Sequence, residues 1–288
     1  MAKKTVDQIV DLIRETSSSL PDDVLKALRS ARRKEKPGSS AAVVLQTILD
    51  NCAIARKRAT PLCQDTGTLT FFVDEALRRR VTPAVIKEAV ALATEKGYLR
   101  KNTIDSVTGK SYDDNVCDGA PVIHYAPASS SLVPRPSSLT LILKGGGSEN
   151  MSRQYSLPDA SLGAGRDLAG VRKCVLDAVQ KIQGYGCAPG ILGVCIGGDR
   201  ATGYEVAKEQ LLRPLDEKEI AESSNRRIVE LEKGLLKEAN GLGIGPMGLG
   251  GRTTLLGVKV AARPRVPASF FVTVAYMCWA CRRRSCVI

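Results

Sequence analysis

Apolar positions in the first part of the chain recur at helical spacing. Val6, Ile9, Val10, Leu12 and Ile13 form one stripe, and Asp22 is placed to cap a helix over residues 23–33. Residues 34–40 interrupt the pattern with charge, Pro37 and Gly38, and read as a linker before another helix that runs to about Arg58. Residues 69–73 are short, apolar and rich in β-formers, so a strand is expected there. Thr82-Pro83 opens a helix that continues to about Lys96, with proline near its first turn. Residues 102–136 look like loop except for a strand over 121–125. Further strands are expected at 139–143, 191–196, 253–261 and 270–275, with helices at 167–182 and 217–239. No internal repeat appears. The alternation predicts an α/β (α+β) fold, with mixed sheets surrounded by helices, over residues 1–288 as one large domain or two lobes.

Composition narrows the function classes. With 43% apolar and 25% charged residues, the chain is ordinary globular material. No run of 18 apolar residues exists to span a membrane. Its N-terminal residues enter an amphipathic helix without the apolar core of a signal peptide. The tail Cys286-Val287-Ile288 is too short for a prenylation box. Nine cysteines without an export signal point to a reducing compartment, the cytoplasm. The net charge of +12 comes partly from Arg32-Arg33-Lys34, Arg56-Lys57-Arg58, Arg78-Arg79-Arg80 and Arg282-Arg283-Arg284. These runs are scattered, and aromatics are only 4% of residues, so no stacking platform for nucleic acid is expected. Each run reads as a solvated helix face or terminus, and the balance suits a small dianionic substrate or an acidic partner.

The chemistry is concentrated in three Gly- or Pro-flanked cysteines. They are Cys63 in Pro61-Leu62-Cys63-Gln64-Asp65-Thr66-Gly67-Thr68, Cys187 in Gly184-Tyr185-Gly186-Cys187-Ala188-Pro189-Gly190, and Cys278 in Tyr276-Met277-Cys278-Trp279-Ala280. Separations of 124 residues (63 to 187) and 91 residues (187 to 278) exclude a local zinc knuckle. Three thiolates can still converge through the fold, and three ligands on a four-iron cluster leave one iron open to substrate. The plain alternative for Cys63 is an inert thiol beside an Asx turn.

Other stretches are weighed similarly. Lys144-Gly145-Gly146-Gly147-Ser148-Glu149-Asn150 follows a strand and reads as a loop presenting backbone donors to an anion, against a plain tight turn. Gly243-Ile244-Gly245-Pro246-Met247-Gly248 has the G-x-G-x-x-G spacing but follows a helix and precedes a strand, the reverse of the dinucleotide-binding order. Cys278-Trp279-Ala280-Cys281 competes as a redox dithiol. Cys52, Cys117, Cys174, Cys195 and Cys286 read as small buried hydrophobes or surface thiols. The sole histidine, His124, lies in an apolar run and is expected to be structural.

Together these motifs, in this order and over nearly the whole chain, resemble the α subunit of the class I fumarate hydratase/L(+)-tartrate dehydratase family. Gly243 to Gly251 and Cys278-Trp279-Ala280 before Arg282-Arg283 complete the set. The resemblance implies an iron–sulfur-dependent hydro-lyase α-domain with a [4Fe–4S] cluster on Cys63, Cys187 and Cys278. It implies dicarboxylate contacts at Gln64, Asp65, Arg100, Gly145, Ser148 and Asn150, with Asp65 catalytic. It also implies that the base lies on a β domain, here expected as a separate β subunit in a hetero-oligomer. The expected reaction is hydration of fumarate to (S)-malate, with L-tartrate dehydration as the same-class alternative. Ala188 stands where the family commonly has proline, and Val266 where single-chain relatives carry a histidine. A non-lyase iron–sulfur or thiol-redox protein is the alternative of another class.

Overall fold

A computed structural model describes residues 2–127, 137–216 and 226–288. The start of the helix expected at 217–239, and the end of the loop expected to reach 136, lie outside those residues. In chain order the helices are α1 Ala2–Ser18, α2 Asp22–Lys34, α3 Ser40–Arg58, α4 Pro83–Glu95, α5 Gly146–Asn150, α6 Leu168–Ile182, α7 Arg200–Gln210 and α8 Arg226–Gly241. The strands are β1 Thr68–Asp74, β2 Val122–Ala126, β3 Ser138–Lys144, β4 Arg153–Ser156, β5 Gly190–Gly197, β6 Leu255–Arg263, β7 Phe271–Met277 and β8 Arg282–Val287. None of the described helices is long and apolar enough to cross a membrane. The chain divides into two compact units, each with one mixed sheet.

The first unit comprises Met1–Pro21, Asp50–Gly146 and Ala280–Ile288. Its sheet runs β2-β1-β3-β8, with β1 parallel to β2 and antiparallel to β3, and β3 antiparallel to β8. Alternate residues Leu69, Phe71 and Val73 of β1 and Leu139, Leu141 and Leu143 of β3 are buried on one face. The stripe Val6, Ile9, Val10, Leu12 and Ile13 of α1 covers them together with Ile86, Ala89, Val90 and Ala93 of α4. Each Val, Leu, Ile or Phe among them contributes about 1.5–3 kcal/mol through burial. Thr82 caps α4, accepting from the Val85 N–H, with Pro83 in the first turn as expected.

The second unit comprises Asp22–Leu49 and Gly147–Trp279. Its sheet runs β4-β7-β5-β6, with β5 parallel to β6 and antiparallel to β7. Every residue of β5 is buried, and a near-continuous apolar run is what a strand covered on both faces requires. Val171, Val175, Ala178 and Val179 of α6 and Leu231 and Leu235 of α8 share its core. Asp167 starts α6 by accepting from the Gly170 N–H at 2.7 Å.

Several expectations change. The run Arg282-Arg283-Arg284 is no solvated terminus: it begins β8, where Arg282 pairs in register with Leu143 and is 1% exposed. α7 and β4 were not expected, because both are polar in composition. The linker is not mere punctuation either. Glu35 is buried, and its carboxylate accepts from the Arg252 N–H (2.8 and 3.0 Å) and the Thr253 N–H (3.0 Å), fixing the end of the glycine-rich stretch.

Candidate active site

In the first unit, the loop from α3 to β1 is tied down just before Cys63. The Leu62 N–H donates to the Ser17 carbonyl at 2.9 Å, and the Leu62 carbonyl accepts from the Asn51 amide at 3.0 Å. Cys63 and Asp65 are half-exposed and Gln64 is exposed. The Asp65 carboxylate is held at both oxygens: Oδ2 accepts from the Gly146 N–H at 2.7 Å, and Oδ1 from Asn102 Nδ2 at 3.1 Å. Its backbone carbonyl accepts from Arg282 Nη2 at 2.9 Å.

Two glycines allow this approach. Gly67 has φ +78°, and a Cβ there would sit 2.5 Å from the Lys144 carbonyl carbon. A Cβ on Gly145 would meet Asp65 Oδ2 at 2.9 Å. The expected anion-contacting loop is therefore corrected in form. Gly146–Asn150 make a one-turn helix, and the anion that the Gly146 N–H meets is the protein's own Asp65.

Asp65 opens on a cleft of about 280 Å³ lined also by Thr68, Asn102, Thr103, Asn115 and Gly146. Asn115 organises one wall. It is buried, adopts φ +61°, and its Oδ1 accepts from the N–H groups of Asn102 (2.8 Å) and Thr103 (3.0 Å). Its Nδ2 donates to the Arg100 carbonyl (2.7 Å) and to Thr94 Oγ1 (3.0 Å). The Arg100 residue is exposed. Neither Asn102 nor Asn115 was singled out from the sequence. The one available signal was that Asn tolerates left-handed backbone, which a loop rich in Asp and Asn invites.

In the second unit, Cys187 and Cys278 are brought together. Cys187 is exposed with φ +51°, and its carbonyl accepts from the Trp279 N–H at 3.3 Å. The Cys278 N–H donates to Ser148 Oγ at 3.1 Å, so the buried Ser148 hydroxyl supports this cysteine. Gly186 and Gly190 lie flat on the Tyr276 ring, where any Cβ would overlap it. The Tyr276 hydroxyl is buried without a hydrogen-bond partner. Burial, and then the neighbouring Cys278 and Cys187, push its pKa well above the usual range, keeping it a neutral O–H donor. Asn150 is exposed.

Most of the remaining thiols differ from these, the exception being Cys117, which is partly exposed. Burial pushes Cys52, Cys174, Cys195 and Cys286 up to about 11, so they stay protonated. Cys281 is fully buried, which leaves no accessible pair for dithiol chemistry at Cys278. His124 stacks on Phe72 with ring centroids 5.2 Å apart. Among the described residues, no group of three or more His, Cys, Asp or Glu is gathered to hold a metal ion. The first unit carries Cys63, the second Cys187 and Cys278. The donor chemistry nonetheless suits an anionic sulfur-bridged cluster. Three accessible thiols stand in Gly- or Pro-flanked loops, and Tyr276 offers an unused O–H beside two of them. Arg282, which donates to the Asp65 carbonyl in the Cys63 loop, keeps Nε and Nη1 buried and unpartnered.

Comparison with known proteins adds the following. The family described as Fumarate hydratase (Fumerase) matches residues 6–287. A Geobacillus stearothermophilus protein provisionally named fumarate hydratase class I is 46% identical over 286 residues. That match takes in 98% of this chain but 54% of the relative, so the chain spans about half its length. A Methanocaldococcus jannaschii protein provisionally named L(+)-tartrate dehydratase subunit alpha is 34% identical over 285 residues, covering 97% of this chain and 96% of the relative. The L(+)-tartrate dehydratase subunit alpha of Escherichia coli K12 is 28% identical over 290 residues, covering 99% and 91%.

Proposed function

This chain belongs to the fumarate hydratase (Fumerase) family, and on that premise we propose that it is the α part of a hydro-lyase adding water reversibly to fumarate to give (S)-malate. The observation that carries the reading is Asp65, a carboxylate fixed at both oxygens on the edge of a cleft of mixed polar and apolar lining, sized for a small molecule.

Cys63, Cys187 and Cys278 would hold a [4Fe–4S] cluster, which when bound supplies Lewis-acid polarisation of a hydroxyl through an iron without a protein ligand. The chain's own residues supply the rest. The exposed Arg100 offers a forked donor to one substrate carboxylate, a geometry that lysine cannot match. Gln64 and Asn150 present exposed amides to the remaining oxygens. Gly145 contributes by having no side chain, which leaves Asp65 its place. Ser148 steadies Cys278 through its backbone N–H. In the dehydration direction the C3 proton goes to a base, its electron pair forms the double bond, and the C2–O bond breaks. Asp65 orients the departing hydroxyl.

The base is assigned to a β subunit. Relatives that this chain spans almost end to end bear the name subunit alpha, which favours a two-chain enzyme. Residues 1–288 would then be its cluster-binding α-domain. An oxygen-sensitive cluster and nine cysteines suit a reducing compartment such as the cytoplasm. L(+)-tartrate is the second reading, supported by the names of the relatives at 34% and 28% identity, while the 46% relative favours fumarate.

The test is anaerobic turnover by the iron-loaded chain with its β partner. We expect kcat/KM for malate and fumarate to exceed that for L(+)-tartrate by about 100-fold, roughly the discrimination against one added hydroxyl. A reversed ratio assigns tartrate. Turnover of neither overturns the hydro-lyase reading.

A further inference from the structure

We propose that Asn102 is a positioning residue for this reaction, setting the plane of the Asp65 carboxylate, with Asn115 as the buried anchor that fixes Asn102. The proposal rests on the reading of Asp65 as the group that orients the leaving hydroxyl. The torsion that turns an aspartate's carboxylate is broad, so one hydrogen bond leaves it free to rotate. Asp65 has two from different segments: the Gly146 N–H on Oδ2 and Asn102 Nδ2 on Oδ1. Facing a carboxylate oxygen, the Asn102 amide presents its NH₂, the one donor-bearing end it has.

Asn102 is itself immobilised from behind. Its backbone N–H and that of Thr103 both end on Asn115 Oδ1, and both Nδ2 protons of Asn115 are spent on Thr94 Oγ1 and the Arg100 carbonyl. All four hydrogen-bonding positions of the Asn115 amide are thus used inside the protein. Thr94 belongs to α4, where its hydroxyl also reaches the Val90 carbonyl at 2.8 Å. A continuous chain of bonds therefore runs from a rigid helix through Asn115 and Asn102 to Asp65. The same Asn115 amide pins the backbone of Arg100, so Asp65 and Arg100 take their register from one buried side chain.

The substitution Asn102→Ala removes the amide but leaves the backbone bonds to Asn115, so the fold should survive, with Tm within about 2 °C. In the full chain with its β partner, N102A should lower kcat about tenfold with KM changed less than about twofold, the scale of one hydrogen bond to a charged group. Asn102→Asp has the same shape but no donor, and should fall below N102A. A space-filling role predicts the opposite order. A crystal structure of N102A should show the Asp65 carboxylate turned away from the Gly146 N–H. The proposal is overturned by N102A or N102D retaining kcat within about twofold, by N102D exceeding N102A, or by an unmoved Asp65 in N102A. Should the wild-type chain turn over no 2-hydroxy dicarboxylate, the functional reading falls. The N102A crystal structure then decides positioning alone: a displaced Asp65 upholds it, an unmoved one ends it.

Discussion

The same substitution at two glycines should have opposite consequences. At Gly145 an added Cβ meets Asp65 Oδ2 at 2.9 Å and Cγ at 3.3 Å, and the backbone is not left-handed. The obstacle is the end of a side chain, which can rotate away. Gly145→Ala should therefore cost about 1 kcal/mol or less in stability, while displacing the carboxylate from the Gly146 N–H. Losing a charge-assisted hydrogen bond is worth about 1.5–3 kcal/mol, so kcat should drop roughly 10- to 100-fold. At Gly67 the obstacle is backbone: Lys144 C at 2.5 Å, Lys144 O at 2.6 Å and Gly145 N at 2.8 Å, with φ at +78°. Alanine in left-handed backbone costs about 1–2 kcal/mol, and forcing apart a packed strand end about 1–3 kcal/mol more. Gly67→Ala should lower Tm by about 5–15 °C. Thermal melts of both variants, with anaerobic turnover of the first, decide the matter. A G145A protein that melts like G67A, or a G67A protein that melts like wild type, would refute the reasoning.

Three further outcomes are expected. Glu35→Ala leaves the buried Thr253 N–H and the part-buried Arg252 N–H without their acceptor, and should destabilise by about 1–3 kcal/mol in denaturant titration, whereas Glu35→Gln recovers part of this. In the iron-free chain Tyr276→Phe removes a buried hydroxyl without a partner, so its Tm should equal or exceed that of the parent; a drop of several degrees would mean the hydroxyl is satisfied. Cys52, Cys174, Cys195 and Cys286 titrate near 11 when folded against 9.0 ordinarily. Their contribution is complete below pH 9 and is lost as pH rises towards 11, because the unfolded chain releases those protons first. Tm should fall across that window, and alkylation at pH 8 should mark Cys63, Cys187 and Cys278 while sparing Cys52, Cys174 and Cys195. A flat Tm, or early labelling of the buried thiols, would contradict this.

The elements legible in the sequence were those whose burial pattern is strong. α1 and α4 carry apolar stripes, β1 and β3 are short runs rich in apolar residues, and β5 is apolar throughout. β8 was missed because three consecutive arginines suggest solvent, yet Arg282 is buried in register with Leu143 and its guanidinium bonds the Asp65 carbonyl. α7 escaped notice because its composition is polar and Gly203 sits in it. That glycine is needed where a Cβ would come 2.6 Å from Thr273 Oγ1. Motif order pointed to the cysteine loops and Asp65. The groups that place Asp65 were invisible, because Asn102 and Asn115 act through bonds to partners 12 to 37 residues away, and such partners leave no local pattern. Glu35 was hidden for the same reason, its partners being 217 and 218 residues distant.

The most direct test of the account is iron and acid-labile sulfide content, with EPR after mild oxidation, on chains purified without oxygen. The wild type should hold about four irons and convert to a three-iron signal, the mark of one iron without a protein ligand. Serine at Cys63, Cys187 or Cys278 should abolish the cluster, while serine at Cys281 or Cys117 should retain it. A folded wild-type chain that stays iron-free after reconstitution, or a C281S chain that loses iron as completely as C278S, would contradict the cluster and the hydro-lyase built on it.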